Sequence, residues 1–233
     1  MKLAVFSDIH GNYEALTSIY NDIKKQKIDE IICLGDVIGL GPQPVKCLDF
    51  IMDHPDIKMV RGNHEEKQLF FTDEELHEHG HEHQLWVRER LSKKHFEFME
   101  NLPLSIEREY NGKKILFSHF FIKSEKRGDQ FYPFETIDDK EKLKKIKAKL
   151  GFDYMFVGHH HFFYEYKDLG ILDVSTSGCV YNNNTHYYII NIDDEITYEK
   201  RVITFDRKAF EKSFDGFINI FDIPNRFFGV KMK

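Results

Sequence analysis

The chain has 233 residues, 41% of them hydrophobic, enough to bury a substantial core, and its length calls for no more than one domain. Its formal net charge is -6 and its pI is near 6.1, so no overall basic field favours nucleic acid or an anionic membrane surface, and a polyanionic substrate has to be held locally. No run approaches the roughly 18 apolar residues of a membrane span. The amino terminus enters a strand without a charged-then-apolar leader, and the expectation is a cytoplasmic protein with no membrane partner.

Leu3-Ala4-Val5-Phe6 reads as a first buried strand, ending in Ser7-Asp8-Ile9-His10-Gly11-Asn12. Asn12 is a good N-cap for a helix whose apolar positions are Ala15, Leu16, Ile19 and Ile23. The run Ile31-Ile32-Cys33-Leu34 is a second strand, and it delivers Gly35-Asp36 to a loop. Gly39-Leu40-Gly41-Pro42-Gln43-Pro44 can continue neither a helix nor a central strand; Val45, Leu48 and Ile51 then resume a helical stripe. Ile57-Lys58-Met59-Val60 ends in Arg61-Gly62-Asn63-His64-Glu65. Two β-α-β units follow from this alternation, and with them a parallel sheet that sends Asp, His and Asn to the edge where ligands bind.

From Glu65 to Gly80 the pattern weakens. His77, His79, His81 and His83 alternate with Glu78, Gly80 and Glu82 and read as a solvated helix or lid, since no apolar strand leads into them. Trp86, Val87, Leu91, Phe98 and Met99 suggest one amphipathic helix stopped by Asn101-Leu102-Pro103. Asn111-Gly112 between two strands predicts a type I′ hairpin, whose second strand ends at Ser118-His119. An irregular aromatic stretch over 120–134 and a lysine-rich helix with Leu143, Ile146 and Leu150 inward come next. Strands over 154–157, 162–166, 170–174, 185–192 and 195–202 then predict a second, mostly antiparallel sheet, with Gly158-His159-His160-His161 after the first of them. The whole predicts a four-layer αββα sandwich of two mixed sheets flanked by helices, in one domain over 1–233. Residues 205–233, with Phe210, Phe214, Phe217 and Ile218, form a terminal helix and tail of unassigned role. Cys33, Cys47 and Cys179 have no CxxC spacing and read as buried free thiols.

Residues two apart at a strand end point the same way, so Asp8 and His10 can close on one ion; His159 and His161 have the same spacing. With Asp36, Asn63 and His119 the candidate ligands number seven, too many for one metal. Carboxylates, imidazoles and one amide suit two divalent ions of intermediate softness, manganese first, with iron, zinc or nickel as alternatives. Two such ions lower the pKa of a shared water and hold a phosphate for in-line attack, which is the chemistry of phosphate-ester hydrolysis.

Asp8-Ile9-His10, Gly35-Asp36, Gly62-Asn63-His64-Glu65, Ser118-His119 and Gly158-His159-His160-His161 resemble, in order, the motif blocks of the calcineurin-like metallophosphoesterase superfamily. Within it, Gly35-Asp36-Val37-Ile38-Gly39-Leu40-Gly41-Pro42 is similar to the small bacterial and archaeal phosphodiesterase branch that also holds diadenosine-tetraphosphatase-like proteins. The resemblance runs from Met1 to about Val202 and implies the αββα fold and a dinuclear site hydrolysing phosphodiesters or nucleotide-type substrates through a metal-bridging hydroxide. By motif position it implies that one metal takes Asp8, His10, Asp36 and His161 and the other Asp36, Asn63, His119 and His159. Asp36 then bridges the ions, and His64 is the catalytic histidine, as proton donor or as stabiliser of charge on the phosphoryl oxygens.

Where many relatives have glycine after the histidine matching His119, this chain has Phe120, and it lacks a Pro-Arg pair after Ser177-Gly178. Substrate contacts are expected from Asn12, Arg61 and Phe120, although Asn12 also suits a helix cap and Arg61 a carboxylate partner. His160 points away from its neighbours and suits a supporting role. A phosphoprotein phosphatase, a nuclease, or a non-catalytic scaffold like the vacuolar sorting subunit of retromer are the alternatives. The acidic balance argues against nucleic acid.

Overall fold

Alternation along one strand divides the molecule into layers. In the computed structural model, which describes residues 1–78, 81–175, 177–217 and 222–232, β1 (Lys2–Phe6) turns Leu3 and Val5 to one face and Ala4 and Phe6 to the other. Leu3 and Val5 join Ile32, Leu34, Phe117, Phe156 and Ile190 in a core between two sheets. Ala4 and Phe6 pack with Leu16, Ile19 and Ile51 beneath α1 (Tyr13–Ile23) and α2 (Pro44–Asp53). Asn12 caps α1 by accepting from the Ala15 N–H at 3.0 Å, and Pro44 opens α2, where its missing N–H costs nothing.

β2 (Glu30–Cys33) and β3 (Ile57–Met59) lie parallel to β1, as two β-α-β units require. The chain then forms α3 (Asn63–Phe70), α4 (Asp73–Glu78), α5 (Glu82–Arg88) and α6 (Lys93–Glu100). β4 (Ser105–Tyr110) and β5 (Lys113–Ser118) pair through a turn in which Asn111 and Gly112 both have positive φ, 48° and 73°. After α7 (Lys140–Leu150), β6 (Tyr154–Val157), β7 (Glu165–Tyr166) and β8 (Ile171–Asp173) complete the second sheet. Leu143 and Ile146 of α7 cover its outer face against Leu116, Met155 and Val157, which gives the fourth layer.

Several expectations need correction. β9 (Asn184–Ile192) and β10 (Ile196–Thr204) do not belong to the second sheet: β9 pairs antiparallel with β1, so the first sheet runs β10-β9-β1-β2-β3. The second runs β4-β5-β6-β8-β7 and is mixed, since β5, β6 and β8 are parallel. The strand expected over 162–166 is reduced to Glu165–Tyr166. Instead of one helix through Trp86 and Met99 there are two, broken before Ser92, whose N–H is bonded to His95 Nδ1 at 3.0 Å. Asn63 and His64 open α3. Among the described residues, no helix is long and apolar enough to cross a membrane.

The carboxyl-terminal segment is part of the fold. Phe210 of α8 (Arg207–Lys212), Phe214, Phe217 and Phe228 of α9 (Ile223–Phe228) cluster with Ala15, Leu40 and Cys179. Arg207 donates to the carbonyls of Val180 at 2.9 Å and Phe228 at 2.6 Å, fastening the end of α9 to the segment that follows β8. Ile218 lies outside the described residues. Phe210 is fully buried, so Phe210→Ala is expected to cost about 3–5 kcal/mol of stability in chemical denaturation; a loss below about 1 kcal/mol would show that the segment is only loosely attached.

Candidate metal centre

The loops beyond the strand ends are fastened to one another before they meet any ligand. Asp8 N–H donates to the Gly35 carbonyl at 3.1 Å, His10 N–H to Asp36 at 2.9 Å and Gly11 N–H to Val37 at 2.9 Å. Gly158 N–H donates to the His119 carbonyl at 2.8 Å, tying two further loops. Asp8, His10, Asp36, His159 and His161 all adopt positive φ, between 48° and 83°. Few non-glycine residues do so, and Asp and His bear it better than most. Turning the backbone this way points all five side chains into one space.

Two groups of donors result. In the first, His10 Nε2 is 2.8 Å from His161 Nε2 and 3.7 Å from Asp8 Oδ1, which is itself 3.2 Å from His161 Nε2. In the second, His119 Nε2 is 2.8 Å from Asn63 Oδ1 and 3.2 Å from His159 Nδ1, with Asn63 Oδ1 2.7 Å from that same nitrogen. Asp36 Oδ2 lies between them, 3.8 Å from His10 Nε2 and 3.2 Å from His119 Nε2. Its Oδ1 accepts from the His64 N–H at 2.8 Å. The structure thus brings together Asp8, His10, Asp36, Asn63, His119, His159 and His161.

The chemistry of this donor set fits cations. His10 Nδ1 faces the Ile38 carbonyl at 3.2 Å and His119 Nδ1 the Leu34 carbonyl at 2.9 Å, so each proton resides there and each Nε2 is left as a lone pair. Those lone pairs face other acceptors, an arrangement that repels unless positive charge lies among them. Without metal, protons take that place. Burial opposes a charged His119, yet Asp36 outweighs it and pushes the imidazole up to about 9. His161 is likewise raised against its burial by Cys179 and Asp8. Burial would raise Asp36, but His119, His64 and His10 hold it well below the usual carboxylate range. His159 is taken down by burial to about 3 and stays neutral.

Glu65 organises the bridging position from beneath, a role that sequence reasoning missed although the residue was part of a recognised block. Its fully buried carboxylate accepts from the N–H groups of Asp36 and Gly62 at 2.9 Å each, Val37 at 3.0 Å and Ile38 at 3.3 Å. Burial and neighbouring Asp36 push its pKa up to about 7 even so. His64 is held by a chain of amides. Arg88 Nε donates to Gln68 Oε1 at 3.4 Å, Gln68 Nε2 to Gln84 Oε1 at 2.7 Å, and the Gln84 amide to His64 Nδ1. An imidazole that accepts at Nδ1 carries its proton on Nε2, and here Nε2 is the atom turned toward Asp36 Oδ2, 3.9 Å away. Gly39, at φ 124°, makes room for that ring; a Cβ there would collide with it.

The three residues expected to touch substrate have other partners. Asn12 is fully buried, capping α1 and donating to the Gly178 carbonyl at 2.9 Å. Arg61 pairs with Glu66 at 3.2 Å and lies over the Phe70 ring. Phe120 is fully buried behind the centre, against His159 and His160, because the chain folds its ring inward to Phe121. His160 is buried, with Nε2 on the Phe134 carbonyl at 3.0 Å, a supporting place as its direction implied. The histidine segment is not uniformly solvated: His77 is exposed, but His83 is buried beside Gln84, and both His81 and His83 line the cavity over the centre. His79 and Gly80 lie outside the described residues.

Glu65→Gln should show the cradle at work, since an amide nitrogen would face backbone N–H groups that now have an acceptor. The expected loss is about 1–3 kcal/mol in denaturation together with weaker binding of divalent metal by calorimetry. Unchanged metal affinity would mean that Glu65 does not position Asp36.

Against known proteins, the sequence model of the calcineurin-like phosphoesterase family matches residues 1–169. An uncharacterized protein of Methanocaldococcus jannaschii is 34% identical over 190 residues, covering 81% of this chain and 74% of its own. A metallophosphoesterase from Sphaerobacter thermophilus has a similar structure, with a TM-score of 0.68 at 18% identity and 93% of each chain covered. A hypothetical protein from Pyrococcus horikoshii gives a TM-score of 0.71 at 16% identity with 99% of each chain covered. With its αββα layers, its clustered metal-binding side chains and this match over most of its length, the chain belongs to the calcineurin-like phosphoesterase family.

Proposed function

We propose that the protein is a dinuclear-metal phosphodiesterase acting on small, nucleotide-type phosphoesters. The observation that carries this reading is the cavity above the centre, about 690 Å³, whose lining contains Lys67 and Arg226 but no carboxylate other than Asp36. In a chain of net charge -6 this is a local reversal of sign, suited to a substrate with several negative oxygens. Among the described residues, neither cation has a carboxylate within ion-pair distance. Phe134, Tyr181 and Phe227 line the same cavity and offer faces on which a base or another flat group can stack. Lys67 comes from α3 and Arg226 from α9, so walls on separate elements can hold groups at both ester oxygens, which favours a diester over a monoester.

Asp8, His10, His161 and Asp36 would hold one ion and Asp36, Asn63, His119 and His159 the other, manganese being the first choice. When bound, the two ions supply the positive charge that activates water and neutralises the phosphoryl oxygens. His64 contributes a fixed Nε2–H. Burial keeps its imidazole neutral, well below the usual histidine pKa, and the Gln84 amide occupies Nδ1, so the one proton it carries is on Nε2, the atom turned toward Asp36 Oδ2 at the centre. From there a neutral imidazole can donate a hydrogen bond to the departing oxygen or to a phosphoryl oxygen; passing on the proton itself would require the imidazolium.

Removing His64 should therefore matter most for leaving groups that are poor anions. In metal-saturated protein, His64→Ala is expected to lose a factor of order 10²–10⁴ on an alkyl or nucleoside phosphodiester and distinctly less on a nitrophenyl diester, with metal content unchanged. Equal losses on both substrates would reject a contact with the departing oxygen and leave charge stabilisation at the phosphoryl oxygens as the role of His64. Failure of the wild-type protein to prefer a nitrophenyl diester over the corresponding monoester would reject the diester assignment.

A further inference from the structure

Gly178-Cys179 lies against the loop that carries Asp8 and His10. Gly178 N–H donates to the Asp8 carbonyl at 3.0 Å, and the Gly178 carbonyl accepts from the Asn12 amide at 2.9 Å. A Cβ on Gly178 would collide with the Ile9 carbonyl, so glycine allows an approach that no other residue does. The next side chain is thereby delivered to the centre. Cys179 Sγ and one nitrogen each of His10 and His161 lie within 4.8 Å of one another, and Cys179 lines the cavity. Neighbouring donors around one metal ion are roughly 3–3.5 Å apart, so small adjustments let all three reach the same ion. Cys33 and Cys47, by contrast, are fully buried in the core under α1 and α2.

We propose that Cys179 is a thiolate ligand of the ion held by His10 and His161, an inference that rests on the metal-centre reading above. On binding, the S–H bond breaks, the proton passes to solvent, and a sulfur lone pair forms the bond to the ion. This makes the two positions chemically unequal. The one at His119 offers nitrogen and oxygen alone, whereas the one at His10 adds a soft sulfur and favours zinc, iron or cobalt over manganese. Asn12, buried and bonded to Gly178, then acts as a positioning residue for the thiol.

Cobalt(II) titrated into the metal-free full chain is the test. The wild-type protein should develop visible d–d bands together with a near-ultraviolet sulfur-to-cobalt charge-transfer band. Cys179→Ser should keep the visible bands and lose the near-ultraviolet one, while Cys33→Ala should keep both. Visible bands in wild type without the charge-transfer band, or an identical charge-transfer band in Cys179→Ser, would overturn the thiolate ligand and leave the dinuclear reading standing. No cobalt spectrum at all would overturn both. Absence of the charge-transfer band in wild type is decisive by itself, and that outcome does not depend on how well either variant folds.

Discussion

Buried acceptors turned toward one another repel, and this one constraint explains most of what surrounds the centre. His10 Nε2 and His161 Nε2 stand 2.8 Å apart, and His119 Nε2 faces an amide oxygen, an imidazole nitrogen and a carboxylate. Such a set is stable only around positive charge. The positive φ of five of its members, the backbone ties between loops and the Glu65 cradle all act to hold these atoms where they would not settle by themselves. Rigid strand ends of a packed double sheet can sustain that strain, and a flexible surface loop could not.

Much of this was legible in the sequence because it depends on short-range patterns. The strands β1, β2 and β3 are apolar runs that end in chemistry-bearing residues, and the period of α1 and the Asn111-Gly112 turn each follow from local rules. The fold class was therefore readable. The placement of β9 and β10 was not, since pairing with β1 is a contact across nearly the whole chain, and nothing in an alternating strand says which sheet edge it will join. The directions of Arg61 and Phe120 were not legible for a similar reason: nearness in sequence to a motif does not fix direction. Arg61 turns to Glu66, and Phe120 turns inward.

What the sequence withheld most was the wall contributed by the carboxyl-terminal segment. The family match covers residues 1–169, whereas Cys179, Tyr181, Arg226 and Phe227 lie beyond it. Their arrival at the cavity depends on a cluster of phenylalanines that reads, in sequence, as an undirected aromatic tail. Only the fold shows that packing Phe210, Phe214 and Phe228 against Ala15 and Leu40 carries α9 to the mouth of the centre, where the Tyr181 hydroxyl donates to the Arg226 carbonyl. The motif residues set the chemistry; the segment outside the match shapes what can enter.

Metal content tests the central claim most directly. Elemental analysis of wild-type protein and Asp36→Asn, each equilibrated with excess divalent metal and then desalted, compares one carboxylate with an amide of the same shape. If Asp36, whose Oδ2 lies between His10 and His119, bridges two ions, the wild type will retain two equivalents and the variant will lose metal from both positions. Two full equivalents retained by Asp36→Asn would contradict the account.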